Sequence, residues 1–170
     1  TYNRGKTEPL DTQGTNALIW ALIALDSGDY EVPEDAYQSR EEILAELLKA
    51  QESDGGFSLS AGSGQMDVDI TAMALTALAP YYEENSEAKA AADLALSWIS
   101  EHQESDGGFC SSMDTGTESS ESCAQVLTAL CSLGIDPQSD SRFIKNGNTV
   151  LDFQYDDADE FYDGLAYVSM

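Results

Sequence analysis

Seven residues recur letter for letter in this chain, as Gln51-Glu52-Ser53-Asp54-Gly55-Gly56-Phe57 and again as Gln103-Glu104-Ser105-Asp106-Gly107-Gly108-Phe109. Their separation of 52 persists without a gap, because Leu75-Thr76-Ala77-Leu78 returns as Leu127-Thr128-Ala129-Leu130. Upstream, Ala17 to Leu25 matches Ile70 to Leu78 at an offset of 53. Downstream, Gln154-Tyr155-Asp156-Asp157 keeps the Gln and the Asp, but Ala158-Asp159-Glu160-Phe161 departs from Gly-Gly-Phe. Identity of this length at a fixed period restricts the chain to a repeat protein, in which each unit buries its apolar face against its neighbours. The 170 residues read as a single repeat domain, 1–170, with units of about 15–66, 67–118 and 119–170.

Each unit reads as two helices. The first helices, about 15–26, 67–82 and 119–133, are apolar nearly all round, the pattern of a helix covered on every side. The second helices, about 39–52, 86–102 and 141–154, are amphipathic. Ile43, Leu44, Leu47 and Leu48 form the apolar stripe of the first, opposite Arg40, Glu41, Glu42, Glu46 and Lys49, and Ala91, Leu94, Ala95, Trp98 and Ile99 form that of the second. Ser39 followed by Glu42 is a capping box marking a helix start. The expectation is an all-α fold in which inner and outer helices alternate as a stack of helical hairpins. The Gly-Gly pairs at 55–56 and 107–108 fit helix stops, one glycine in the left-handed cap conformation and the next freeing the turn, with Phe57 and Phe109 folding back as apolar plugs.

Charge closes several functional classes. With 32 acidic against 7 basic side chains, the net charge is −25, and such a chain repels phosphate backbones and anionic membrane surfaces. Nucleic acid is therefore excluded as a partner. The longest apolar run, Ala17 to Leu25, is about half of the roughly 20 residues that span a bilayer, so no membrane insertion is expected. At 23% charged and 42% hydrophobic, the composition is that of a folded chain.

Gln-x-x-Asp-Gly-Gly-Phe at the end of an outer helix resembles the QW motif of the prenyltransferase and squalene-cyclase repeat families, with Phe where that motif often has Trp. Asp67-Val68-Asp69-Ile70-Thr71-Ala72 is similar to the DxDDTA stretch of class II terpenoid cyclases. The resemblance covers Gly14 to Phe161 and implies a terpenoid-cyclase-like α/α toroid, (α/α)6 when complete, of which three hairpins make about half. It also implies an acid at Asp69, assisted by Asp67, that protonates an alkene or epoxide. The last Asp of the motif is Ile70 here, which removes a neighbour that would stabilise the conjugate base. A helix N-terminus further favours the charged form of Asp69. Asp67 and Asp69 thus also read as helix-start residues. Asn16, Asp69 and Glu121 share one repeat position and line up at one mouth of the stack, where with Trp20 they form a candidate ligand-binding set.

The metal readings fail on residue type and spacing. Zinc as held in prenyltransferases needs Asp, Cys and His from different hairpins; Glu121-Ser122-Cys123 mimics one pair, but the only histidine, His102, ends an outer helix. The run Asp156-Asp157-Ala158-Asp159-Glu160 with Asp163 lacks EF-hand spacing. Ser122-Cys123-Ala124-Gln125 lacks the pattern of a thioester site. No cofactor or metal is expected. Three cysteines make no disulfide framework: Cys123 and Cys131 lie about 12 Å apart along a helix, the Cys110–Cys123 pairing stays open, and all three otherwise read as buried apolar thiols.

The chain starts at Thr1, without a basic-plus-apolar leader, and begins and ends at nearly the same phase of its repeat, which reads as a segment of a longer array. Three hairpins leave the apolar inner face to be covered by missing hairpins, a neighbouring domain or a second copy. The resulting expectation is a non-catalytic helical repeat domain of a larger bacterial protein, secreted or on the cell surface, that binds a ligand or a protein. The alternatives are a terpenoid-cyclase-like isomerase or lyase using Asp69, and a carrier of small ligands in the cobalamin-binding style.

Overall fold

The computed structural model describes residues 10–28, 30–111 and 118–153. The Gln154–Phe161 remnant of the motif and the acidic run from Asp156 to Asp163 lie outside these residues. Within them the chain is all-α: α1 (Thr15–Asp26), α2 (Arg40–Lys49), α3 (Val68–Leu78), α4 (Ser86–Glu101) and α5 (Ser120–Ser132), with short 3-10 turns at Leu10–Gln13, Ala79–Tyr81 and Ser141–Phe143. Three isolated β-bridges are the only extended pairings among the described residues.

Inner helices α1, α3 and α5 lie side by side, α3 between the other two, and α2 and α4 back onto α1 and α3. Only α3 is covered almost all round, with Asp69 and Thr76 the two residues of its eleven that are not buried. α1 and α5 each keep an open flank, so the expectation of complete burial holds for the middle helix alone. The reason is neighbours, since α3 has an inner helix on both sides.

Helix starts follow the local chemistry. Ser39 and Glu42 form the reciprocal capping box on α2, with Glu42 N donating to Ser39 Oγ at 3.1 Å and Ser39 N to Glu42 Oε2 at 2.8 Å. Asn85 Oδ1 accepts from Glu87 N and Ala88 N at the start of α4.

The repeated heptapeptide ties each unit to the next. Gln51 Nε2 donates to Gly55 O (2.9 Å) and to Ala91 O of α4 (2.8 Å); Gln103 Nε2 donates to Gly107 O (3.0 Å) and to Phe143 O (3.1 Å). Phe57 and Phe109 are fully buried, and their carbonyls accept from Asp67 N and Ser119 N, the residues that cap the following inner helices.

The glycines act differently from helix stops. α2 and α4 end at Lys49 and Glu101, and Gly55 and Gly107 sit beyond, at φ 99° and 94°, in tight loops closed by Gly55 N to Glu52 O and Gly107 N to Glu104 O. The second glycine of each pair has an ordinary φ. It is needed for room: a Cβ on Gly56 would stand 2.8 Å from Met66 Sδ and 2.9 Å from Trp98 Cε2. The aspartates part company too. Asp106 Oδ1 accepts from Gly108 N at 2.9 Å, whereas Asp54 Oδ1 accepts from Ser53 Oγ at 3.2 Å.

The third outer helix, expected over 141–154, does not form over the described part. After Ser141–Phe143 the chain turns back through Asn146 (φ 53°) and Gly147 (φ 88°), with Lys145 and Asn148 exchanging both backbone bonds at 2.8 Å. Positive φ at both central residues is the Asn-Gly hairpin turn, a stronger local preference than the apolar spacing around it. It is also an insertion. Ala91 and Phe143, which receive the two glutamines, are 52 apart, but Leu94 and Trp98 over the first glycine pair correspond to Thr149 and Phe153 over the second, 55 apart. Thr149 then shows helix-start bonding, with its N donating to Asp152 Oδ2 (2.9 Å) and its Oγ1 accepting from Leu151 N (3.2 Å).

Candidate functional site

Asp67, Ser119 and Gly14 occupy one repeat position, immediately before the three inner helices. Asp67 Oδ1 accepts from Asp69 N (2.9 Å) and Ile70 N (3.2 Å), while Oδ2 accepts from Ser111 Oγ (2.6 Å). The residue is 2% exposed. One carboxylate thus caps α3 and holds the segment that follows the second heptapeptide. Ser119 Oγ accepts from Ser122 N at 3.0 Å, and Gly14 offers α1 no side-chain cap.

Asn16, Asp69 and Glu121 are each the second residue of adjacent inner helices. Asp69 and Thr76, two turns apart, mark the face of α3 that stays open; Asn16 with Ile23 and Glu121 with Thr128 repeat it on α1 and α5. Asp69 and Asn16 are half-buried, and Glu121 is exposed. Asn16 Oδ1 is buried without a hydrogen-bond partner. Trp20, one turn along α1 from Asn16, is 53% exposed. The structure therefore sets the three polar residues on one surface with Trp20 at its edge, an acceptor-rich row suited to cationic or hydroxyl-bearing groups. Its electrostatics reach Cys123 on α5. Burial first, and then the charges of Asp106, Glu118 and Asp69, push that thiol up to about 11 against the pull of a hydrogen bond to the Phe109 backbone.

Cys123 and Cys131 are free thiols, so no Cys110–Cys123 bridge is made. Only Cys123 is buried; Cys110 is half-buried and Cys131 exposed, so the reading of all three as buried thiols is corrected. Cys131 sits on the flank of α5 that no inner helix covers. Among the described residues no three His, Cys, Asp or Glu side chains gather as metal ligands. His102 is on the outer side, its ring stacked on Trp98 with centroids 3.7 Å apart and Nδ1 2.7 Å from Trp98 O.

A feature not legible in the sequence lies beside that stack. The loop 58–66 is gathered around Glu52, whose Oε1 accepts from Ser58 Oγ (3.0 Å), Gly62 N (2.8 Å) and Gly64 N (3.3 Å). It borders a groove of about 550 Å³ lined by Leu59, Ser63, Gln65, Met66, Trp98 and His102. The Ser- and Gly-rich composition of 58–64 marks a loop but not its shape; the folding back requires Glu52, from the preceding heptapeptide, as anchor.

Paired inner and outer helices, with each unit locked to the next by a glutamine through the following outer segment, define an α/α-toroid repeat domain. The chain belongs to the prenyltransferase alpha-alpha toroid domain family, whose profile matches residues 2–155. No curated protein and no solved structure matches it. No helix among the described residues is long and apolar enough to cross a membrane.

Proposed function

We propose that this chain is a non-catalytic member of the family, a binding domain of a larger secreted or cell-surface bacterial protein. The acceptor-rich surface of Asn16, Asp69 and Glu121, with Trp20 at its edge, holds a ligand or a protein segment bearing cationic or hydroxyl donors. The observation that carries this reading is the state of Asp67. Its two oxygens are committed to the start of α3 and to Ser111, and the residue is buried, so it assists no proton transfer to a substrate. Asp69 stands in the first turn of α3, the place of a helix-start residue. Cation chemistry also needs aromatic walls, and along the described inner helices Trp20 is the aromatic residue present. Strong acidity without basic patches supports an extracytoplasmic setting, and the bacterial assignment rests on the resemblance of the repeats. The test is incubation with squalene-type and prenyl diphosphate substrates, with products read by gas chromatography and mass spectrometry. No turnover is expected; turnover that disappears in Asp69→Asn would overturn the reading.

A further inference from the structure

Repeat-equivalent positions of the three inner helices differ in what covers them, and the differences fall on two opposite flanks. Ile70, Met73, Ala74 and Ala77 are buried on α3. Their equivalents on α1 are open: Ala17 and Ala21 are half-buried, and Trp20 and Ala24 are exposed. At about 100° per residue these four positions share one flank of the helix. Val68, Ala72 and Leu75 on α3 are also buried, but their equivalents on α5 are not, Ser120 and Leu127 being half-buried and Ala124 exposed. Cys131, also exposed, continues this second flank, which lies about 180° from the first. Since α3 packs against both α1 and α5, one flank of α3 receives α1 and the other receives α5.

The residues that α5 buries against α3 are Ser122, Val126 and Ala129, with Gln125 partly covered. These are the repeat equivalents of Ala17, Ala21, Ala24 and Trp20. The uncovered flank of α1 is therefore of the kind that α5 lays on α3, and the uncovered flank of α5 is of the kind that α3 offers to it. One chain carries both halves of a contact that it already makes internally. Neither flank contains a charged residue, although the chain as a whole is at −25. We propose that a second copy of this chain docks head to tail, α1 of one copy on α5 of the next, continuing the inner-helix packing across the molecular boundary. The contact sets Trp20 of one copy over Ala124 and Thr128 of the other, where small side chains leave room for the indole. It is heterologous, so it builds either a closed ring or a chain of copies. The proposal shares Trp20 with the surface of the proposed function, and Ala124→Glu, on the opposite flank, separates the two readings.

Two measurements on the full chain test it. In sedimentation velocity from about 1 to 200 µM, in about 0.3 M salt to screen the like charges, mass should rise with concentration. Trp20→Ala and Ala124→Glu should each weaken that association at least about tenfold with the helical circular dichroism and melting unchanged. Ala24→Cys provides a positional readout, because the docking brings its thiol beside the native Cys131 of the next copy. Under mild oxidation, mixed isotope-labelled and unlabelled A24C protein should form intermolecular disulfides from the introduced thiol to Cys131, faster than a Glu101→Cys control forms any link. A monomer across the whole range overturns the proposal, and so does association that both flank substitutions leave intact. Preferential linkage between two introduced thiols, or between two copies of Cys131, also overturns it, since it would mean head-to-head pairing.

Discussion

Replacing Gly55 with alanine probes the joint between successive repeats, and Gly62→Ala is its matched control. Both residues have positive φ, 99° and 75°. A side chain in the left-handed region costs about 1–2 kcal/mol at either site. Restricting the unfolded chain returns about 0.4–1 kcal/mol at either site. What differs is the space. A Cβ on Gly62 meets nothing within 4 Å, whereas on Gly55 it would stand 2.7 Å from Leu94 O and 3.0 Å from Leu94 C. Those atoms are helix backbone, part of a segment that Gln51 also grips through Ala91 O, so they cannot swing aside as a side-chain tip would. Relieving the clash requires α4 to move off the loop, which adds about 1–3 kcal/mol of overpacking. Gly62→Ala should therefore cost about 0–1.5 kcal/mol, and Gly55→Ala about 1–3 kcal/mol more. Urea unfolding followed by circular dichroism, at unchanged m value, measures the difference. Equal losses for the two variants would refute the claim that close approach to α4, and not φ alone, requires glycine in the heptapeptide.

Other consequences follow from the same contacts. Gln103→Leu strands two carbonyls, of Gly107 and Phe143, in a buried setting and should cost about 2–4 kcal/mol in urea unfolding; a loss under about 0.5 kcal/mol would mean that the glutamine is not the inter-repeat tie. In the folded chain Cys131 should alkylate first and Cys123, buried with its thiol pushed up to about 11, last, as read by peptide mass spectrometry at pH 8. Tyr81, whose hydroxyl donates to Asp26 Oδ2 at 2.8 Å, has its ionisation raised by burial first and then by that bond and the Asp26 charge. The unfolded phenol ionises near about pH 10 and the folded one above it, so the folded state holds the proton longer. The associated stability is present below about pH 10 and is lost as pH rises further; Tyr81→Phe should flatten the alkaline arm of an unfolding-versus-pH series.

The inner surface was legible in the sequence because it is written in the period: equivalent positions 16, 69 and 121 had to share a level. The two glutamine ties were not, since the heptapeptide reads as helix stops and apolar plugs and each glutamine reaches a carbonyl 40 residues away. Asp67 was legible as a helix-start residue, since an acid before an apolar helix can satisfy the free N–H groups. Its bond to Ser111 was not, because the two residues are 44 positions apart and only the stacking of units joins them. The groove beside Trp98 and His102 escaped for the same reason. The third outer helix was misread where apolar spacing continued through Asn146-Gly147. A three-residue insertion hides in spacing, and turn chemistry there outweighs amphipathicity.

The sequence by itself determined the architecture: an all-α array, its 52-residue period, its three inner helices and its first two outer helices. Those are properties of hydrophobic periodicity and of local backbone bonding, which the chain carries wherever its neighbours lie. Only the tertiary structure decided which of three similar inner helices is enclosed, what the second glycine makes room for, and where the apolar flanks stay open. Burial is a property of the neighbours a helix acquires. α1, α3 and α5 carry closely related apolar patterns, but only α3 has an inner helix on both sides.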